Sequence, residues 1–328
     1  MTTQTIAKWE QGSALFGASV WVVLAALAGA GKAPLGVIEL LFLFAPLVIV
    51  PLGLALGRLV SPLKYPAMDT WLRVVQPIFA FLTVISFWLA VGKMAAIFAL
   101  PWLVFCVSIA IAASLTFLRT ANRSLVDWVV NIGRIDLAVA GGWLVLSRMG
   151  IHPLGIQEPI GLLTAVHFHY TGFATAMLLS ALLIHTRRSN TLRKLLDCVA
   201  LIVIGTPFLV AAGFVYSSTL KMVAALALSI GVFVLSALQL WVAKTLTIGF
   251  SRVYVRLSGL SVAAAMVLAS VYAIGDWLKQ DWLVIPRMAS THGLLNAFGF
   301  SLLGFLGWVV ELSITSPVNE REDVEVLV

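Results

Sequence analysis

Charge is what this chain lacks most. Asp, Glu, Lys and Arg make up 11% of its 328 residues while 61% are hydrophobic, and the mean hydropathy of +1.04 lies far outside the range of water-soluble domains. Soluble enzymes and soluble binding modules are excluded at once. Cysteine is nearly absent too: Cys106 and Cys198 fall in different apolar stretches, which excludes a disulfide framework and a thiolate metal centre. The local signatures of familiar chemistry are also missing. There is no His-Glu-x-x-His, no paired His-x-x-x-His box, no Gly-x-Ser-x-Gly, no phosphate-binding loop and no Asp-Asp-x-x-Asp, so none of the chemistries those motifs carry is indicated.

What the chain has is apolar length. A hydrocarbon core of roughly 30 Å needs about 20 apolar residues per helix, and about ten such runs occur, at 12–30, 35–60, 72–92, 95–118, 128–150, 161–184, 195–217, 220–243, 257–275 and 290–312. The expected fold is therefore all-α, a polytopic transmembrane helical bundle. It forms one domain over residues 1–312, and 313–328 is a disordered tail carrying Glu320, Glu322, Asp323 and Glu325. No cleavage site stands out after the first run, which reads as a retained helix. Pro46 and Pro51, Pro77, Pro101 and Pro207 fall within runs two, three, four and seven, where proline kinks a span and frees carbonyls.

The net charge of +7 reflects topology rather than nucleic acid. With both termini on one side, fourteen of the 21 Lys and Arg residues fall on that side and six on the other, so the positive-inside rule makes both termini cytoplasmic. Anionic lipid headgroups are the natural partners of that basic side. No internal repeat is evident, which counts against the two related halves of many transporters.

Ionisable groups inside a membrane are costly and mark functional sites by default. His167-Phe168-His169-Tyr170-Thr171-Gly172-Phe173 lies in the sixth run; His292 and Asn296 lie in the tenth, one turn apart. Both runs enter from the same side, so these groups share a depth with Glu39, at the start of the second run, and Glu158, in the loop before the sixth. At about 100° per residue, His167 and His169 point in different directions. His167 shares a face with Thr164, Tyr170, Thr171 and Thr175 and is expected to face a cavity; His169 is expected to bond a neighbouring helix unless the chain unwinds at Gly172. Asp136, near mid-depth in the fifth run, has no polar partner on its own helix, and Glu39 is equally alone. An isolated carboxyl in hydrocarbon favours its neutral form, the profile of a general acid. Asp127, Asn131 and Arg134 have the spacing of a structural ion-pair stripe.

Two of these segments resemble signature stretches of the YndJ-like family of bacterial integral membrane proteins: His167 to Phe173, and His292-Gly293-Leu294-Leu295-Asn296-Ala297-Phe298-Gly299-Phe300. The resemblance implies a polytopic bundle in the bacterial inner (cytoplasmic) membrane. It also implies that His167, His169, Tyr170, His292 and Asn296 share one pocket.

The leading functional expectation is an intramembrane enzyme of terpenoid-biosynthesis type, a cyclase or isomerase working by acid-base chemistry on an isoprenoid or polyketide-like lipid. Asp136 or Glu39 would donate the proton and His167 or His292 accept it. Trp143, Phe168, Tyr170 and Phe298 would line the cavity and stabilise cationic intermediates, with His169, Asn296 and Glu158 also contacting substrate. No cofactor and no metal is required, although His167, His169, His292, Glu39 and Glu158 are the residues a metal would recruit. The partners expected are a lipophilic substrate and membrane lipid, with no nucleic acid. The alternative is a proton-coupled permease in which Glu39, Asp136 and the histidines relay protons.

Overall fold

The computed structural model describes residues 3–186 and 190–315; the charged tail from Asn319, with Arg187, Arg188 and Arg321, lies outside them. Among the described residues ten helices are long and apolar enough to cross a membrane, and there is no strand. They are span one (Trp9–Gly29), span two (Val37–Val60), span three (Pro66–Trp88), span four (Lys93–Leu118), span five (Leu125–Met149), span six (Ile160–Thr186), span seven (Leu192–Tyr216), span eight (Ser218–Val242), span nine (Gly249–Leu278) and span ten (Ile285–Thr315). Each coincides with one of the ten apolar runs. The chain is an all-α, multi-span membrane protein.

Spans two and six are the most enclosed of the ten, and they stand in the middle. Spans one, three, four, five, seven, eight, nine and ten pack in succession around them. Trp21 of span one closes this ring against Phe298 of span ten, the rings 5.2 Å apart. Small residues in span ten allow close packing: a Cβ at Gly304 would lie 2.8 Å from Ser258 Oγ, and one at Gly307 2.8 Å from Val255.

Spans two, six and ten each widen into π-helical turns, at Ala45–Ile49, at Phe168–Ala174, and at Ala289–Gly293 followed by Leu295–Leu302. These segments pack on one another at the centre. In span two the physical cause is legible, because Pro46 and Pro51 carry no N–H and cannot complete the helical ladder. Side chains of three other spans donate to carbonyls in this stretch: Trp21 Nε1 to Leu40 O at 2.8 Å, Tyr170 Oη to Leu41 O at 3.0 Å and Gln76 Nε2 to Pro46 O at 2.8 Å. Pro77, Pro101 and Pro207 lie inside spans three, four and seven, which continue as helices through them, since packing tolerates the loss of a single ladder bond.

One end of the first three spans is tied by charge. Arg58 pairs with Glu10 and with Asp69 (2.7 Å), and Arg73 pairs with Asp69 and approaches Glu10 at 3.7 Å. All four side chains are nearly inaccessible, and two acids balance two bases. Ser13 Oγ donates to Gln76 Oε1 at 2.6 Å just beneath. Removing one member strands a buried charge, so Arg58→Leu should cost about 3–5 kcal/mol. Lys221→Leu, breaking the more accessible Lys221–Asp276 pair, should cost about 0–1 kcal/mol. Reversible unfolding in detergent measures both, and equal losses would remove the cluster's role as a clamp.

Candidate functional site

Spans six, seven, eight, nine and ten stand as a palisade round a cavity of about 230 Å³, room for roughly eight waters at about 30 Å³ each. Its wall is mostly apolar, with Phe168, Phe214, Met222 and Met266 among the larger contributors. Polar groups gather on two sides. Span six contributes Thr164, His167, Tyr170, Thr171 and Thr175, and span ten contributes His292 and Asn296. Lys221 and Ser229 of span eight and Tyr272 and Asp276 of span nine complete the set.

His167 is the notable member. Its neighbours on span six are almost all buried, yet its own side chain is exposed, and that exposure is to the cavity it lines. Its Nδ1 sits 2.7 Å from Leu163 O. A carbonyl only accepts, so Nδ1 carries the proton and Nε2 of the neutral ring is a bare acceptor. Nε2 has no partner among the described residues. In His292 the same logic applies: Nδ1 donates to Ala265 O at 2.9 Å, and Nε2 receives the Asn296 amide at 3.2 Å. Asn296 also donates to His292 O at 2.8 Å, which fixes the orientation of its amide.

His169 faces away from the cavity and is fully buried. Nδ1 donates to Ala165 O at 2.8 Å, Nε2 accepts from Trp102 Nε1 at 3.1 Å, and the ring stands edge-on to Phe42 at 5.3 Å. It joins spans six, four and two. Both of its nitrogens are committed.

Several other expected residues stand outside the cavity lining. Asp136 is 1% exposed and lies against Gly172, where a Cβ would come within 2.6 Å of its Oδ2; its Oδ1 has no hydrogen-bond partner among the described residues. Glu39, expected to be alone, accepts from Gly36 N at 2.9 Å as the third residue of its helix. Glu158 accepts from Leu162 N at 3.1 Å at the start of span six. Both are helix-start carboxylates, where free backbone N–H groups attract them. Phe298 packs on Phe44 at 4.4 Å, and Trp143 packs against the core. The stripe of Asp127, Asn131 and Arg134 does not pair directly. Asp127 caps its own helix through Ser124 and accepts from Ser61 Oγ at 2.9 Å, while Arg134 donates to Ser61 O at 2.9 Å. Among the described residues no three His, Cys, Asp or Glu side chains gather as a metal site would need.

Sequence reasoning missed the rim of the cavity. Lys221 Nζ lies 2.8 Å from Asp276 Oδ2 and 4.5 Å over the ring of Phe214, joining spans seven, eight and nine. Asp276 lies far along the chain from Phe214 and Lys221, and no motif spacing links the three.

The architecture defines a multi-span helical membrane protein with an intramembrane cavity. The chain belongs to the YndJ-like family, whose YndJ-like protein description matches residues 40–300. It is 30% identical over 285 residues to a Bacillus subtilis (strain 168) protein described as "Uncharacterized membrane protein YndJ". That alignment takes in 86% of this chain and 50% of the relative, so the chain spans about half the length of the curated relative it matches. No solved structure matches it.

Two outcomes follow from this geometry. Gly172→Ala should destabilise the protein by about 1–3 kcal/mol through overpacking. Asp136→Ala should recover part of that loss in a double-mutant cycle, whereas strict additivity would show that the two residues do not press on each other. In a background lacking Cys106 and Cys198, His167→Cys should react with a small thiol reagent and His169→Cys should resist it. Equal reactivity would contradict the separation of the two side chains.

Proposed function

We propose that this protein holds a lipophilic molecule in the cavity and performs proton-transfer chemistry on it, isomerisation or cyclisation of an isoprenoid or polyketide-like lipid, with His167 as the base. One observation carries this reading: an accessible imidazole deep within an enclosed span, its Nδ1 committed to Leu163 O and its Nε2 open to the cavity. A neutral imidazole is a competent base near neutral pH, and apolar walls strengthen the polar interactions they surround. His292, held by Ala265 O and Asn296, orients the opposite wall. Tyr170, Phe168 and Asn296 contact the substrate.

The proton donor differs from the sequence-based expectation. Asp136 and Glu39 do not line the cavity and Asp276 is held as the partner of Lys221, so donation falls to the hydroxyl of Thr171. The setting we infer is the bacterial inner membrane with both termini cytoplasmic. The unequal distribution of Lys and Arg and the Bacillus relative support it.

The test is incubation of membranes containing the protein with isoprenoid or epoxide lipids, followed by mass analysis of products. His167→Ala should lower product formation at least about 100-fold, the scale of a lost general base, and Asp136→Asn should change it only a few-fold. Undiminished product from His167→Ala would overturn the assignment. Proton-driven uptake of an unaltered solute into vesicles would replace it with a permease.

A further inference from the structure

Most polar donors of the cavity wall are turned toward the backbone or toward one another, which leaves acceptors facing inward around His167. His167 Nδ1 donates to Leu163 O, Thr164 Oγ1 to Ile160 O at 2.8 Å, Tyr170 Oη to Leu41 O at 3.0 Å, and Thr175 Oγ1 to Tyr170 O at 3.0 Å. Asn296 directs its amide N–H groups to His292, and His292 Nδ1 donates to Ala265 O. Each commitment satisfies the donor and leaves a lone pair on the hydroxyl oxygens and on His167 Nε2. Among the described residues the one Lys or Arg of the lining, Lys221, is paired with Asp276. An anionic head group would therefore find no unmatched cation and would face the bare acceptor His167 Nε2, an arrangement that disfavours it.

Three lining hydroxyls, Thr171, Ser229 and Tyr272, have no hydrogen-bond partner among the described residues. Thr171 stands four residues beyond His167 on span six, and both line the cavity. His167 Nε2 can only accept, whereas the Thr171 hydroxyl can also donate. A ligand hydroxyl, which donates once and accepts in return, complements this pair.

We infer that the cavity takes a neutral lipophilic alcohol, its hydroxyl donating to His167 Nε2 and accepting from Thr171 Oγ1, its hydrocarbon body against the apolar wall. This rests on the reading of the cavity as a ligand site. It adds the class of head group.

The experiment uses the full chain in lipid nanodiscs and measures saturable binding of tritium-labelled farnesol, with farnesoic acid and farnesyl diphosphate as competitors. Farnesol should bind at least about tenfold more tightly than either anion. His167→Ala and Thr171→Val should each weaken farnesol at least about fivefold and level the preference for alcohol over acid. His167→Gln, whose Oε1 accepts, should restore part of the loss. Circular dichroism and gel filtration establish that each variant is folded. Tighter binding of the acid or the diphosphate overturns the alcohol assignment and leaves the cavity as a ligand site, as does farnesol binding unchanged by both variants. Ala225→Trp, which fills the cavity from span eight, should abolish binding. Binding that survives Ala225→Trp, or no saturable binding of any probe to the wild type, overturns the ligand site and the inference together.

Discussion

In hydrocarbon a backbone carbonyl that loses its helical donor has no water to turn to, and the centre of this bundle is organised by that constraint. Span two carries two prolines and therefore lacks two ladder donors. Tyr170 and Gln76 direct their polar atoms at Leu41 O and Pro46 O, five residues before those prolines, and Trp21 adds a bond to the neighbouring Leu40 O. Spans one, six and three are thus fixed to span two by groups that would themselves be costly to bury unpaired. The widened turns of spans two, six and ten lie together there. Such turns recur at functional sites because they re-aim side chains and break the regular ladder.

The character of the cavity follows from the same rule. A hydroxyl or imidazole on a membrane helix readily donates to a carbonyl of its own helix, and His167, Thr164 and Thr175 all do so. Such bonds supply a donor to the backbone and turn the remaining lone pair outward. A wall built this way presents acceptors even though its residues are individually capable of both roles. Most residues of the wall are apolar, so each exposed lone pair is isolated and weighs heavily on what fits.

The ten spans were legible because about 20 apolar residues in succession have few other uses. The phase that separates His167 from His169 was legible too, since span six is α-helical as far as His167 and widens only from Phe168. Less was readable of the carboxyls. Glu39 and Asp127 looked like lone or ion-paired intramembrane acids, but both are the third residue of their helix and bond the backbone at its start. That signal was available in Ser124-x-x-Asp127, a capping spacing. The π turns had Pro46 and Pro51 as local markers in span two and Gly172 in span six, but no proline falls within the widened turns of span ten. The Lys221–Asp276 pair depends on the packing of spans eight and nine, which no local spacing encodes.

Polarity inside a membrane is a weak guide to function until partners and access are known. Glu311 is 1% exposed, yet its two oxygens accept from Thr247 N at 2.6 Å and Ile248 N at 3.1 Å at the start of span nine; Arg58 is also buried, in its charge-balanced cluster. Such groups are costly but paired, and they hold helix ends together. Asp136 Oδ1 and the amide of Gln239 have no hydrogen-bond partner among the described residues, but both side chains are closed off from the cavity. Neither kind can meet a ligand from within the bundle. His167 Nε2 and the Thr171 hydroxyl combine the two necessary properties, an uncommitted polar atom and a place on the cavity wall. That conjunction, rather than the cost of burying a histidine, distinguishes His167 from His169 two residues away.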